Sequence, residues 1–195
     1  MATPRKYRVG VIGVGRQGSH HARAYALNPR CEVVAGADTD AENLALFRQR
    51  FDARGYSSYE EMFEKEEIDI AAPVLPVRAN AAAVLAAARA GVKLISCEKP
   101  LTASLEDADR MVGECRARGI LFAAGLVSKN RPHFWRALEM VRGGEIGTLH
   151  SINTYGSCVQ GGCHTINLAR HFADFAAVEW VTGWVSGDPC SDYEE

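Results

Sequence analysis

The run Val9-Gly10-Val11-Ile12-Gly13-Val14-Gly15-Arg16-Gln17-Gly18 constrains this chain more than any other stretch. Residues 6–13 form a short, largely apolar run rich in β-branched residues and end in glycine, which reads as a buried parallel strand. Residues 19–28 read as a helix stopped by Asn28-Pro29. Between them the glycines keep the spacing G-x-G-x-x-G, the opening of a dinucleotide-binding crossover when a strand precedes it and a helix follows. Gly13 would permit the tight turn, Gly15 would let the backbone approach a pyrophosphate, and Gly18 would let helix and strand pack closely. The free N–H groups at the helix start, around Arg16 and Gln17, would then face the phosphates. Arg16 is a candidate for the pyrophosphate or the adenine face; a solvated arginine fits the sequence equally.

The fingerprint also asks for an acidic residue about 20 positions on, at the end of the second strand. Asp38 stands there. Its carboxylate can accept hydrogen bonds from the adenosine ribose and would repel a 2′-phosphate, so it favours NAD over NADP. Two alternatives stay open at this point. Asp38 can serve only as a helix cap, and S-adenosylmethionine-dependent methyltransferases also pair a glycine-rich first loop with an acid after the second strand.

The alternation continues along the chain. Strands are expected at 31–38, 67–75, 92–98 and 120–127, and helices at 40–51, 79–91 and 104–119. Asp40 is a plausible N-cap, Gly91 and Gly119 close their helices, and Ser104 with Asp107 has capping-box-like spacing. The pattern predicts an α/β fold, a Rossmann-type doubly wound parallel sheet over residues 1–122, followed by an incomplete α+β domain over 123–195. In that second part helices are expected at 132–144 and 164–175, and strands at 148–157 and 178–187. A two-stranded sheet rarely stands alone, and its exposed edges would pair with another chain. A homo-oligomer joined through the C-terminal sheet is therefore expected.

The composition of the 195 residues narrows the function classes. The formal net charge is -2 with both signs interspersed, so nucleic acid is not an expected partner. The six cysteines form no C-x-x-C pair and are expected to be reduced thiols in a cytoplasmic protein. The amino end lacks the apolar stretch of a signal peptide, and the longest apolar run is too short for a bilayer, so no membrane partner is expected. His20 and His21 are expected to be surface or packing residues, without a metal role, since no third ligand stands nearby. Cys158 and Cys163 lie close to His164 in sequence, but nothing there supplies the geometry that activates a thiol. Trp135, Trp180 and Trp184 have spacings that suit packing.

Glu98-Lys99-Pro100 falls just past the strand at 92–98, at the end of the sheet where ligand sites lie. A lysine there can hydrogen-bond a substrate hydroxyl and stabilise an alkoxide as hydride leaves. Pro100 would fix the turn. A surface turn with a solvated lysine is the plain alternative.

The glycine fingerprint, Asp38 and the segment AGVKLISCEKPLTASLEDADRMV together resemble the glucose–fructose oxidoreductase/inositol dehydrogenase/MocA family. The segment RPHFWRALEMVRGGEIGTLHSI is similar to that family's first stretch after the nucleotide domain, including its turn, here Gly144-Glu145-Ile146-Gly147. GGCHTINLARHF resembles the helix that carries its catalytic histidine. The resemblance implies a two-domain enzyme. A Rossmann domain would bind NAD or NADP through Gly13, Gly15, Arg16, Gln17, Gly18, Asp38, Glu98 and Lys99. A second α/β domain would carry substrate contacts and often the oligomer interface. It further implies oxidation of a secondary alcohol of a sugar or polyol, or reduction of the ketone, with Lys99 and His164 catalytic and Lys99, Gln160, His164 and Asn167 touching substrate. His164 would exchange the hydroxyl proton, which suits a group titrating near neutrality.

The chain departs from the family pattern at several positions. Gln160 and Asn167 stand where aspartates are common, Asn80 where a histidine is common, and Lys129 is nearest to a common arginine. Two absent carboxylates remove charge that would favour an imidazolium. The amides can still orient a substrate. The family's members are also longer. These departures keep a second reading open, a nucleotide-binding sensor or regulator that retains the fold without turnover.

Overall fold

Six short strands, joined by helices that return the chain to the same end of the sheet, give a sheet that is parallel throughout. The computed structural model describes residues 5–126, 128–155 and 162–184. The first unit contains β1 (Tyr7–Ile12), α1 (Arg16–Ala26), β2 (Cys31–Ala37), α2 (Ala41–Phe51), β3 (Arg54–Tyr56) and α3 (Tyr59–Lys65). It continues with β4 (Ile70–Pro73), α4 (Val77–Arg89), β5 (Leu94–Cys97), α5 (Leu105–Ala117) and β6 (Leu121–Ala124). The sheet order is β3-β2-β1-β4-β5-β6. The direction of winding therefore reverses between β1 and β4, and a crevice opens there beyond the carboxyl ends of the strands.

Both faces of the sheet are covered. Val9 and Val11 of β1 pack with Ala22 of α1 and Phe47 of α2 on one side. Ile95 of β5 packs with Val84, Ala87 and Ala88 of α4 and with Met111 and Cys115 of α5 on the other. The alanines of α4 let its backbone lie close to the strands in this cluster. Local signals set the helix ends. Asp40 accepts from the backbone N–H groups of Glu42 and Asn43, and Ser104 accepts from that of Asp107. Gly91 and Gly119 follow α4 and α5 with φ of +78° and +67°, the left-handed conformation that ends a helix.

The compact units divide at Gly125/Leu126. The second contains a 3₁₀ turn at Ser128–Asn130, α6 (Pro132–Arg142) and α7 (Gly162–Phe172). Trp135 of α6 meets the ring of His171 edge-on at 5.9 Å, and the Arg142 guanidinium donates to Asp174 just past α7.

Two expectations about this second unit are corrected. Residues 148–155 and 178–184 form no strand among the described residues. Alternating apolar residues become a strand only when a neighbour supplies the ladder hydrogen bonds, and none of the described residues does so. The C-terminal sheet expected to join copies of the chain is accordingly not formed by the described residues. Trp180 and Trp184 do not pack either; they are 76 % and 89 % exposed. In the first unit β3 and α3 were not anticipated from the sequence. No helix among the described residues is long and apolar enough to cross a membrane, and no group of three metal-ligating side chains occurs among them.

Candidate functional site

A cleft of about 600 Å³ lies at the reversal point of the sheet. Its floor is the glycine turn from Ile12 to Gly18, and its walls are Asp38 and Thr39 after β2, Ser57 to Glu60 after β3, and Val74 to Pro76 after β4. Gly13 has φ +79°, and a Cβ there would fall 2.3 Å from the Val74 carbonyl oxygen. A Cβ on Gly18 would fall 1.8 Å from the Gly13 carbonyl oxygen, so α1 and the turn touch backbone to backbone. Gly15 differs. A Cβ there would meet only the Asn43 amide, at 3.5 Å, so the space over it is open. No side chain caps α1, and its first turn holds no acidic residue. No side chain of the helix start therefore satisfies its leading N–H groups. Arg16 and Gln17 are exposed and line the cleft.

Asp38 is not the cap of the next helix, because Asp40 fills that role. One Asp38 oxygen accepts from the Asp40 N–H at 2.9 Å, and the other accepts from the Val14 N–H at 2.8 Å. The carboxylate therefore bridges the glycine turn and the residue that caps α2, with lone pairs remaining on both oxygens.

Glu98-Lys99-Pro100 follows β5 directly, and the Lys99–Pro100 peptide is cis. The Glu98 N–H donates to the Pro73 carbonyl at 2.9 Å, which sets the loop against the end of β4. Among the described residues no carboxylate pairs with the Lys99 ammonium; Glu98 and Asp69 are held by His21 and Lys93. Glu98 instead binds His21 of α1, with Nε2 and a carboxylate oxygen 2.9 Å apart. His21 is thus more than a packing residue. Nothing in the residue pattern pointed to this pair, because its members lie far apart in the chain. Asn80 of α4 donates its amide to the Pro100 carbonyl at 3.0 Å. Burial, and next the charge of Glu98, push the Cys97 thiol up to about 12, so it stays protonated and is no nucleophile.

In the second unit His164 lies on α7, half-buried, and its Nδ1 is a buried nitrogen without a hydrogen-bond partner. Asn167 is one turn further along the same helix face. Gln160, Cys158 and Cys190 lie outside the described residues, as does the side chain of Lys129. Cys31, Cys97, Cys115 and Cys163 are free thiols.

With this geometry in hand, comparison with known proteins settles the class. The family model GFO_IDH_MocA, described as an oxidoreductase family with an NAD-binding Rossmann fold, matches residues 7–126. The chain belongs to this family, and the methyltransferase alternative falls. Inositol 2-dehydrogenase 3 of Saccharopolyspora erythraea is 34 % identical over 143 residues, which is 72 % of this chain and 42 % of that protein. Myo-inositol 2-dehydrogenase of Thermotoga maritima is 28 % identical over 144 residues, 73 % of this chain and 43 % of that protein. Among solved structures, a variant of KijD10, a 3-ketoreductase from Actinomadura kijaniata in complex with TDP-benzene and NADP, superposes with a TM-score of 0.77 at 26 % identity. That match covers 86 % of this chain and 56 % of the other. The chain spans less than half the length of the two inositol dehydrogenases.

Proposed function

We propose that this chain acts as an NAD(P)-dependent oxidoreductase that moves a hydride between nicotinamide and a secondary alcohol or ketone of a sugar, polyol or related compound. The observation that carries the reading is the cleft in which an open Gly15, an uncapped α1 and Asp38 face one space. The pyrophosphate fits over Gly15 against the first N–H groups of α1, and the ribose fits against Asp38. A 2′-phosphate would meet the Asp38 charge, so NAD is preferred over NADP. When bound, the nicotinamide supplies the hydride acceptor or donor.

The chain's own residues supply the rest. Lys99 donates a hydrogen bond to the substrate oxygen and stabilises negative charge there. His164 takes or returns the hydroxyl proton. Asn167 and Gln160 orient neighbouring hydroxyls by amide hydrogen bonds. Glu98 holds the loop that carries Lys99. The division into a Rossmann domain and a second, substrate-binding domain, a cytoplasmic location and self-association belong to the same proposal. Self-association is supported by the exposed Tyr155, Trp180, Val181 and Trp184 of the second unit.

One observation favours a second reading, a sensor that binds the nucleotide without turnover: amides stand at 160 and 167, where the family often has aspartates. Reduction of NAD, followed by nicotinamide absorbance over a polyol panel, separates the two. Turnover supports the enzyme, and tight NADH binding without turnover supports the sensor.

A further inference from the structure

The loop that carries Lys99 is held at both of its neighbours. On the amino side, Glu98 is fixed through its backbone N–H to Pro73 and through its carboxylate to His21 Nε2, each at 2.9 Å. The two side chains are largely shielded, at 20 % and 15 % exposure. On the carboxyl side, the Pro100 carbonyl receives the Asn80 amide at 3.0 Å.

Asn80 is 1 % exposed, and its Oδ1 has no partner. Burying an amide with an empty acceptor is costly, and an apolar residue of that size would avoid the cost. The donor end therefore carries the reason for an amide here, and it has one target, the loop. The space around Glu98 is also restricted, since a Cβ on Gly125 would come within 3.3 Å of the Glu98 Oε2. The anchors come from different helices, α1 and α4. The Lys99 backbone lies between them, and its ammonium is paired with no carboxylate among the described residues.

We propose that His21 and Asn80 are positioning residues: together they clamp Glu98 and Pro100 and hold the Lys99 backbone where its ammonium reaches the substrate oxygen. The role assigned to Lys99 rests on the oxidoreductase reading above; the clamp itself does not.

The test is amide hydrogen exchange of residues 97–103 in the full chain, alongside steady-state kinetics. His21→Leu and Asn80→Leu are expected to speed exchange of this segment about tenfold, with β1 and α2 unchanged. His21→Gln and Asn80→His restore a donor and are expected to restore protection. Where turnover is measurable, the leucine variants lower kcat by about a hundredfold, because a small misplacement of a catalytic group is costly, while KM for the nucleotide stays put. Should a leucine variant not fold, Glu98→Ala gives the same exchange readout, since it removes the carboxylate bonded to His21. Unchanged exchange in the folded variants overturns the proposal, as does faster exchange with kcat unaltered. Faster exchange in a chain whose wild type never reduces NAD leaves the clamp standing and removes the oxidoreductase reading instead.

Discussion

Val14 donates its backbone N–H to a carboxylate oxygen of Asp38 at 2.8 Å, so the acid that closes β2 also holds the glycine turn that closes β1. Replacing it should act on binding and on the turn together. Asp38→Ala is expected to weaken NADH by about 10- to 100-fold, the worth of a hydrogen bond to a charged group. NADPH should lose less, so the preference narrows. Fluorescence titration of both nucleotides measures it. Equal losses for the two would show that Asp38 does not read the ribose.

The glycines of the fingerprint should separate by what surrounds them. Gly18→Ala forces a methyl to 1.8 Å from the Gly13 carbonyl oxygen and is expected to cost about 3 kcal/mol or more of stability. Gly15→Ala meets only Asn43 at 3.5 Å and should change stability by less than about 1 kcal/mol. The same substitution is expected to reduce nucleotide affinity about a hundredfold by filling the space over the turn. Denaturant unfolding and nucleotide titration, run on both variants, give the contrast.

Lys99→Met should leave NADH binding within about threefold and lower hydride transfer by about 10² to 10³. His164→Asn should lower it by about 10² to 10⁴. Single-turnover kinetics distinguishes lost chemistry from lost binding. A Lys99→Met variant with unaltered turnover would place the lysine outside the reaction.

Asp69 anchors the opposite end of the sheet. Burial alone would raise its pKa. The Arg8 N–H at 2.9 Å, the Lys93 ammonium at 2.7 Å and the Arg5 guanidinium outweigh burial and hold it below the usual carboxylate value of 3.8. A depressed folded-state pKa means stability that is present above 3.8 and lost as pH falls through the lower folded value. Asp69→Asn should therefore be less stable than wild type by about 1–2 kcal/mol at neutral pH, a modest figure because both cations are largely exposed. The gap should close in acid, below 3.8. Unfolding curves across that range check the direction.

Much of the first unit is legible in the sequence because its signals are local. The glycine spacing, the β-branched runs and the caps at Asp40 and Ser104 each act within a few residues. β3 and α3 escape the same reading. β3 has three residues with Gly55 in the middle, too short for any alternation to show, although Ser58 and Glu61 offered a capping-box spacing for α3. In the second unit the apolar alternation at 148–157 and 178–187 suggested strands, but pairing is a long-range property that no single segment contains. At the site, Gly13, Gly15, Gly18, Asp38 and the Glu98-Lys99-Pro100 turn stand out as motifs. The bonds from His21 to Glu98 and from Asn80 to Pro100 do not, because each joins residues that only the folded sheet brings together.

The central claim, that the cleft beside Gly15 and Asp38 holds a nicotinamide dinucleotide, is tested most directly by calorimetric titration of the purified chain with NADH and NADPH. The expected result is saturable one-to-one binding of NADH, about tenfold or more tighter than that of NADPH and weakened in Gly15→Ala. No heat from either nucleotide in a folded chain would contradict it.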